Sequence, residues 1–569
     1  MRSIRARFEP CTAALLASAG VGLAAVPLGC SDALKAPFAT AHADVTPMRG
    51  GTLRLAHWSD VRNLDPHGQG DAVGNQAVTL LFDGLVDFDR DSHVIPKLAE
   101  RWDVEDEGRL YRFVLRQGIV MHDGGELTAD DVKRSIERSL HPATPSLTRS
   151  YFSGIVGFDA YTSGKAEHLE GVVVEGRYVV SFHLKEPDAA FLSIMAIPSA
   201  RPVCATAGNR FSRGWLPCGA GPFKLQTGGW QRGASLRVVR HDRYYDPGAT
   251  YLDAVEWTYL MLPLPQRFRL EDGALDMIID PVFADYARFI GDPRWKTLVV
   301  HLAANTIHGE SMNTRMAPFD NVEIRRAVAA AIDRDSYIVN RENMSPANQL
   351  LPRTIPGFDP SWACPPRDEA AALEHMRRAG YPFDPASGKG GWPRPIPYVV
   401  SARSGDEATA QLLQQQLARI GLRLDLRGVS WPAWQAIAER IDGAPMVPWG
   451  NQADYPDASA FFDQFTTAAI DPEASNNVAF YSNPGYDAVV ARARHEMDPA
   501  ARHELYRRAN DMLCDEAPWA FTWAQRDVVV HQGYVRGFEA HPIWPFDVRR
   551  VWLDRGDQAL QHALGGGLR

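Results

Sequence analysis

The stretch from Leu80 to Leu140 constrains this fold more tightly than any other part of the chain, because it strings several kinds of local signal together in one order. Leu80–Val86 is an apolar segment, and a short amphipathic segment follows that ends at Trp102. Glu105–Gly108 is an acidic turn. Beyond it, Tyr111–Leu115 alternates between apolar and polar side chains, the period of a half-buried strand. Thr128, with Asp131 three residues on, opens a helix whose acids come early and whose bases come late, as the helix dipole favours.

A chain of 569 residues needs at least two cores, since one hydrophobic core stops growing near ~250–300 residues. The net charge of −9 and the lack of a basic stripe interleaved with aromatics argue against nucleic acid as a partner. Fifteen Trp and seventeen Tyr are enough to fill cores and still line a groove that grips by stacking. At the N-terminus, Arg2, Arg5 and Arg7 precede the apolar run Ala13–Leu28, which is too short to span a membrane and has the layout of an export signal. Residues 1–43 are read as that signal and a linker, with two ends left open. Cleavage before Cys30 would leave an acylated cysteine and a lipid anchor, although Pro27 departs from the usual leucine there. Cleavage after Ala43 follows the small-x-small pattern of Ala41-His42-Ala43 and would leave a soluble protein. No second long apolar run follows.

Export permits disulfides. Cys204, Cys218, Cys364 and Cys514 lie beyond Cys30, and four cysteines allow three pairings. Cys204 with Cys218 closes a short loop and is the first choice, with buried free thiols as the alternative. There is no C-x-x-C and no cysteine–histidine spacing typical of zinc, so neither a metal nor a cofactor is expected. Gly219-x-Gly221 is not a nucleotide loop, because Pro222 stands where a helix would open and the third glycine is missing. Val172–Val174 and Val179–Leu184 read as a hairpin, and Gly68–Gly74 as a small-residue loop. Tyr398–Ser401, Glu407–Ile420 and Leu422–Leu426 form a β-α-β unit, and Arg502–Leu513 is a helix.

The wording of these segments resembles one family. Asp83-Gly-Leu-Val86, Pro96-x-Leu-Ala-Glu-x-Trp102, Phe113-x-Leu-Arg-x-Gly118 and the run from His122 to Val132 match the signature region of the family 5 extracellular solute-binding proteins, the peptide, nickel and opine receptors of bacterial ABC importers. Gly50-Gly-Thr-Leu53, Asn63-Leu-Asp-Pro-His67, Gly219-Ala-Gly-Pro-Phe-Lys-Leu225, Pro318-Phe-Asp-Asn-Val322 and Ala331-Ile-Asp-Arg334 carry the resemblance over about residues 50–555. It implies an α/β, two-lobed periplasmic-binding-protein type II fold with mixed sheets, a hinge between the lobes and an extra subdomain in the first lobe. The expected division is 44–87, 205–302 and 526–569 for lobe 1, 88–204 for its extra subdomain, and 303–525 for lobe 2.

The resemblance also implies a role. The protein is expected to be a non-enzymatic, monomeric receptor at the periplasmic or extracytoplasmic face of the membrane, soluble or lipid-anchored. It would capture a short peptide or peptide-like zwitterion and deliver it to an ABC permease with its ATPase subunits. Peptide-binding members hold the ligand's ammonium with an aspartate, and Asp454 stands at that position among Trp449, Asn451 and Tyr455. Arg403, at a strand-to-helix step, resembles the arginine that takes the ligand's carboxylate. His122-Asp123 is expected to be a structural turn rather than a catalytic pair. A nickel chelate, an opine or a sugar are the alternative ligands. An exported hydrolase is the alternative class, and no nucleophile elbow, H-E-x-x-H or Ser-x-x-Lys in usable context supports it.

Overall fold

The computed structural model describes residues 46–556 apart from 69–71, 213, 214, 280, 340, 342, 403–405, 540, 545 and 555. The expected export signal with Cys30, the middle of the Gly68–Gly74 loop and Arg403 lie outside the described residues.

Three larger sheets organise the chain. In the first lobe, Thr52–Ala56 lies parallel to Ala254–Thr258, and Ser235–Arg240 and Phe223–Gln231 continue the sheet antiparallel. The core beneath joins residues far apart in sequence, among them Leu53, Val78, Trp257, Val529 and Leu553, so both ends of the described chain complete one lobe. The extra subdomain has an antiparallel sheet in the order Ala99–Glu105, Leu110–Leu115, Val179–His183, Val172–Gly176. The strand Leu110–Leu115 buries every second residue, as its alternation predicts. Helix Ala129–Leu140 places Val132, Ile136 and Leu140 on one face, at helical spacing, in the subdomain core. Its start is closed as expected: Thr128 donates both its N–H (3.0 Å) and its hydroxyl (2.9 Å) to the Asp131 carboxylate.

The third sheet runs Met277–Ile279, Trp519–His531, Val299–Met312, Met446–Gln452, Ile396–Ser401, Leu424–Val429, and Met344–Pro346 pairs with Trp519–His531. The β-α-β unit is present, with Ile396–Ser401 and Leu424–Val429 parallel and helix Asp406–Ala418 between them. The two long strands, Val299–Met312 and Trp519–His531, pair across two cores. Val299–Ala303 pairs with Arg526–Val530, and Leu302 and Val529 pack in the first-lobe core. Ile307–Ser311 pairs with Trp519–Ala524, and Ile307 and Phe521 pack in a second-lobe core. Between these halves the register slips, from Ala303 to Ile307. A second, smaller shift follows between His308 and Gly309; a break in the ladder where two rigid bodies meet is what a hinge requires.

Many of the family-like motifs are tied to one another. Asp83 of the Asp-Gly-Leu-Val run accepts from the hydroxyls of Tyr244 (2.7 Å) and Tyr245 (3.2 Å). The His122 ring accepts at Nδ1 from the Gly219 N–H (3.2 Å) and donates from Nε2 to the Gly221 carbonyl (3.0 Å), and burial holds it neutral, with its pKa lowered to about 3. Asp123 accepts from the Gly125 N–H, 3.0 Å away, so this pair closes a turn. A Cβ on Gly221 would stand 2.3 Å from the Leu81 carbonyl carbon, so the close approach of the two segments requires glycine. The Gly221 N–H is already spent on the Leu81 carbonyl (3.1 Å). Disulfides join Cys204 to Cys218 and Cys364 to Cys514.

The subdomain also touches the second lobe. Arg494, on helix Pro484–His495, reaches Asp188 at 3.0 Å and Asp463 at 2.5 Å.

Candidate functional site

A cavity of about 790 Å³ lies where the lobes face each other. Asn75, Thr148, Ser199 and Trp544 line it from the first lobe and its subdomain, and His308, Trp434, Trp449 and Asp454 line it from the second. Asn305, Thr306 and Gln525, at the slip between the long strands, form part of the same wall. A hinge that lines a cavity changes the cavity's volume when it bends.

Asp454 stands two residues beyond the end of the strand Met446–Gln452. One of its carboxylate oxygens accepts from the Tyr151 hydroxyl at 2.7 Å, a contact between subdomain and second lobe. The side chain is open to solvent within the cleft, yet protein surrounds most of it. That burial raises its pKa, and the Tyr151 hydrogen bond opposes the rise. Among the described residues no cation pairs with it. A carboxylate in this position is a ready partner for a ligand ammonium.

The other residues expected at the site lie as follows. Trp449 lines the cavity and stacks on Trp434, with ring centroids 5.1 Å apart. Trp434 in turn stacks on Trp431 at 4.6 Å, so three indoles form one continuous wall. Asn451 does not line the cavity; its side-chain amide donates to the Ala460 carbonyl at 3.3 Å. Tyr455 is buried, packs edge-on against Tyr151 and bonds Ser459, which makes it a support for the Asp454 wall rather than a contact surface. Arg403 lies outside the described residues.

Sequence reasoning missed a side pocket of about 300 Å³ that shares His308, Trp431, Trp434, Trp449 and Gly450 with the main cavity. Glu310 and Arg341 both line it. Glu310 is buried on the long strand Val299–Met312. Its two carboxyl oxygens accept from the Tyr398 hydroxyl at 2.6 Å and the Tyr337 hydroxyl at 3.2 Å. Burial outweighs both hydrogen bonds and pushes the carboxyl up from 4.5 to about 7. Arg341 donates to the Thr409 hydroxyl at 2.8 Å. His308 stacks on Trp523 with centroids 3.6 Å apart, and burial keeps it neutral, lowered to about 4. No local motif marks this set, because it comes from seven separate stretches of the chain.

The comparisons with known proteins agree with this geometry. The family model described as "Bacterial extracellular solute-binding proteins, family 5 Middle" matches residues 93–472. The glutathione-binding protein GsiB of Shigella flexneri is 27% identical over 530 residues, covering 91% of this chain and 96% of that protein. The GsiB of Escherichia coli strain K12 shows the same identity and coverage. Among solved structures, the fold is similar to the periplasmic binding protein DppA from Helicobacter pylori in complex with the peptide STSA, with a TM-score of 0.72 at 23% identity over 89% of this chain and 99% of that one. The Escherichia coli murein tripeptide binding protein MppA matches with a TM-score of 0.71 at 20% identity over 90% of this chain and 99% of that one.

Proposed function

The chain belongs to the bacterial extracellular solute-binding proteins of family 5, and on that premise we propose that it captures a short peptide or peptide-like zwitterion and hands it unchanged to an ABC permease with its ATPase subunits. It acts as a monomer outside the cytoplasmic membrane, and its lobes close on the solute by bending at the slip between the two long strands. Only a solute that binds the closed form more tightly drives that switch. The observation that carries the reading is the Asp454 carboxylate on the wall of the inter-lobe cavity, bonded to the Tyr151 hydroxyl but without a cationic partner among the described residues. An enclosed carboxylate gains from a ligand ammonium what it loses by leaving water. The relatives named above are themselves binding proteins for glutathione and for peptides, which supports a ligand of that class.

Two measurements test it. Mass spectrometry of the solute that co-purifies with the native protein should find an amine-bearing compound of peptide size. Because Asp454 keeps some contact with solvent, its charge should count for about 2 kcal/mol, or ~30-fold in affinity. Asp454→Asn should therefore bind free-amine peptides ~30-fold more weakly in titration calorimetry, while N-acetylated peptides bind the parent poorly. Equal affinity of parent and variant would remove Asp454 from the site, and steady turnover of a peptide would end the receptor reading.

A further inference from the structure

The side pocket is built for more than apolar contact. A buried carboxyl stands on its wall with two phenol donors already committed to it, and each of its oxygens keeps room to accept another hydrogen bond. Burial makes the charged form costly, and an arriving cation is what would offset that cost. Indoles form the flanks: Trp431, Trp434 and Trp449 on one side, Trp523 carrying His308 on another. Indole faces attract cations as well as hydrocarbon.

The charged and titratable groups around Glu310 can be named by element. Tyr337 comes from helix Arg334–Ile338 and Tyr398 from strand Ile396–Ser401, both as hydrogen-bond donors. His308, on Glu310's own strand, is neutral. Arg341 faces the same pocket, but its guanidinium does not offset the burial of Glu310, whose carboxyl stays raised. Arg341 brings a fixed positive charge to the pocket and Glu310 a carboxyl that an arriving cation can ionise, and a group entering the pocket must answer both.

We propose that this pocket takes the C-terminal residue of the ligand and selects one with a cationic side chain, the α-carboxylate on Arg341 and the side-chain ammonium or guanidinium on Glu310, with the hydrocarbon stem between the indoles. The proposal rests on the peptide-receptor reading and narrows it to peptides ending in lysine, arginine or a similar diamino acid.

Titration calorimetry on the ligand-free protein, with Ala-Lys and Ala-norleucine as probes, tests it. The two peptides have nearly the same stem and differ in the terminal charge. Ala-Lys should bind at least about tenfold more tightly than Ala-norleucine at pH 7.5. Repeating the titration at pH 6 in buffers of different ionisation enthalpy should show proton release with Ala-Lys and none with Ala-norleucine, because the cation ionises Glu310. Glu310→Gln should abolish both the preference and the proton release, which a merely structural role for Glu310 would leave in place. If the two peptides bind the parent within twofold of each other, or the preference survives in Glu310→Gln, the pocket assignment falls while the peptide-receptor reading stands. If neither Ala-Lys, Ala-norleucine nor Lys-Ala binds the parent, both fall together.

Discussion

Replacing Asp65 with alanine is expected to cost ~3–5 kcal/mol of unfolding free energy, the range found when one partner is removed from a buried ion pair. Asp65 grips Arg138 bidentately, with Nη1 on Oδ1 at 3.0 Å and Nη2 on Oδ2 at 2.5 Å. Arg138 is 0% exposed and Asp65 3%. The guanidinium also lies 5.0 Å from the Trp215 ring centroid, and Nη1 donates to Nδ1 of His67 at 2.7 Å. His67 is neutral, its pKa pushed down to about 4 chiefly by burial, and its Nε2–H donates to the Arg201 carbonyl at 3.0 Å. Asp65→Ala leaves a fully buried guanidinium with no carboxylate, and arginine cannot shed its proton to escape. Denaturant titration of the parent and variant checks the figure. The double variant Asp65→Leu with Arg138→Met should lose less than the single one, because it buries no charge. A loss below about 1 kcal/mol in Asp65→Ala would show that this pair does not bind the first lobe to the signature helix.

Glu310 should make the ligand-free receptor less stable as pH rises. Unfolded, its carboxyl loses its proton near 4.5, while in the folded protein it holds on to about 7. Across that window the folded state binds more protons than the unfolded state, so stability falls with rising pH and the deficit is complete above the folded value. That difference corresponds to about 3 kcal/mol at pH 8 and under about 1 kcal/mol at pH 5. Gln keeps the shape and can still accept a phenol hydrogen bond. Glu310→Gln should therefore unfold at a higher temperature than the parent at pH 8, and the gain should shrink at pH 5. Scanning calorimetry of the ligand-free proteins at the two pH values measures it. A gain of the same size at both would mean that the titration of Glu310 is not its source.

How much could be read in advance varied with the distance over which each signal acts. The cap at Thr128 and Asp131 was legible because both partners lie within one helical turn. The β-α-β unit and the strand Leu110–Leu115 were legible from their periods. The strand Val299–Met312, which carries the hinge and Glu310, was not. Cores and cavities lie on both of its faces, so polar and apolar residues follow no alternation. For the site, the resemblance named Trp449, Asn451, Asp454 and Tyr455 together and gave no reason to separate them; Trp449 and Asp454 line the cavity, whereas the side chains of Asn451 and Tyr455 turn to Ala460 and Ser459.

Taken alone, the amino-acid order determined the elements whose causes are local, namely caps, turns, alternating strands and the wording of the Leu80–Leu140 run. Only the tertiary structure decided which charges are buried together, where the long strands break register, and that Glu310 and Arg341 face one pocket. Those facts depend on solvent exclusion and on partners brought together from distant segments, as with Asp65 and Arg138, which stand 73 positions apart. A charge buried by such contacts behaves according to the neighbours that folding brings to it, and no local pattern in the chain names them.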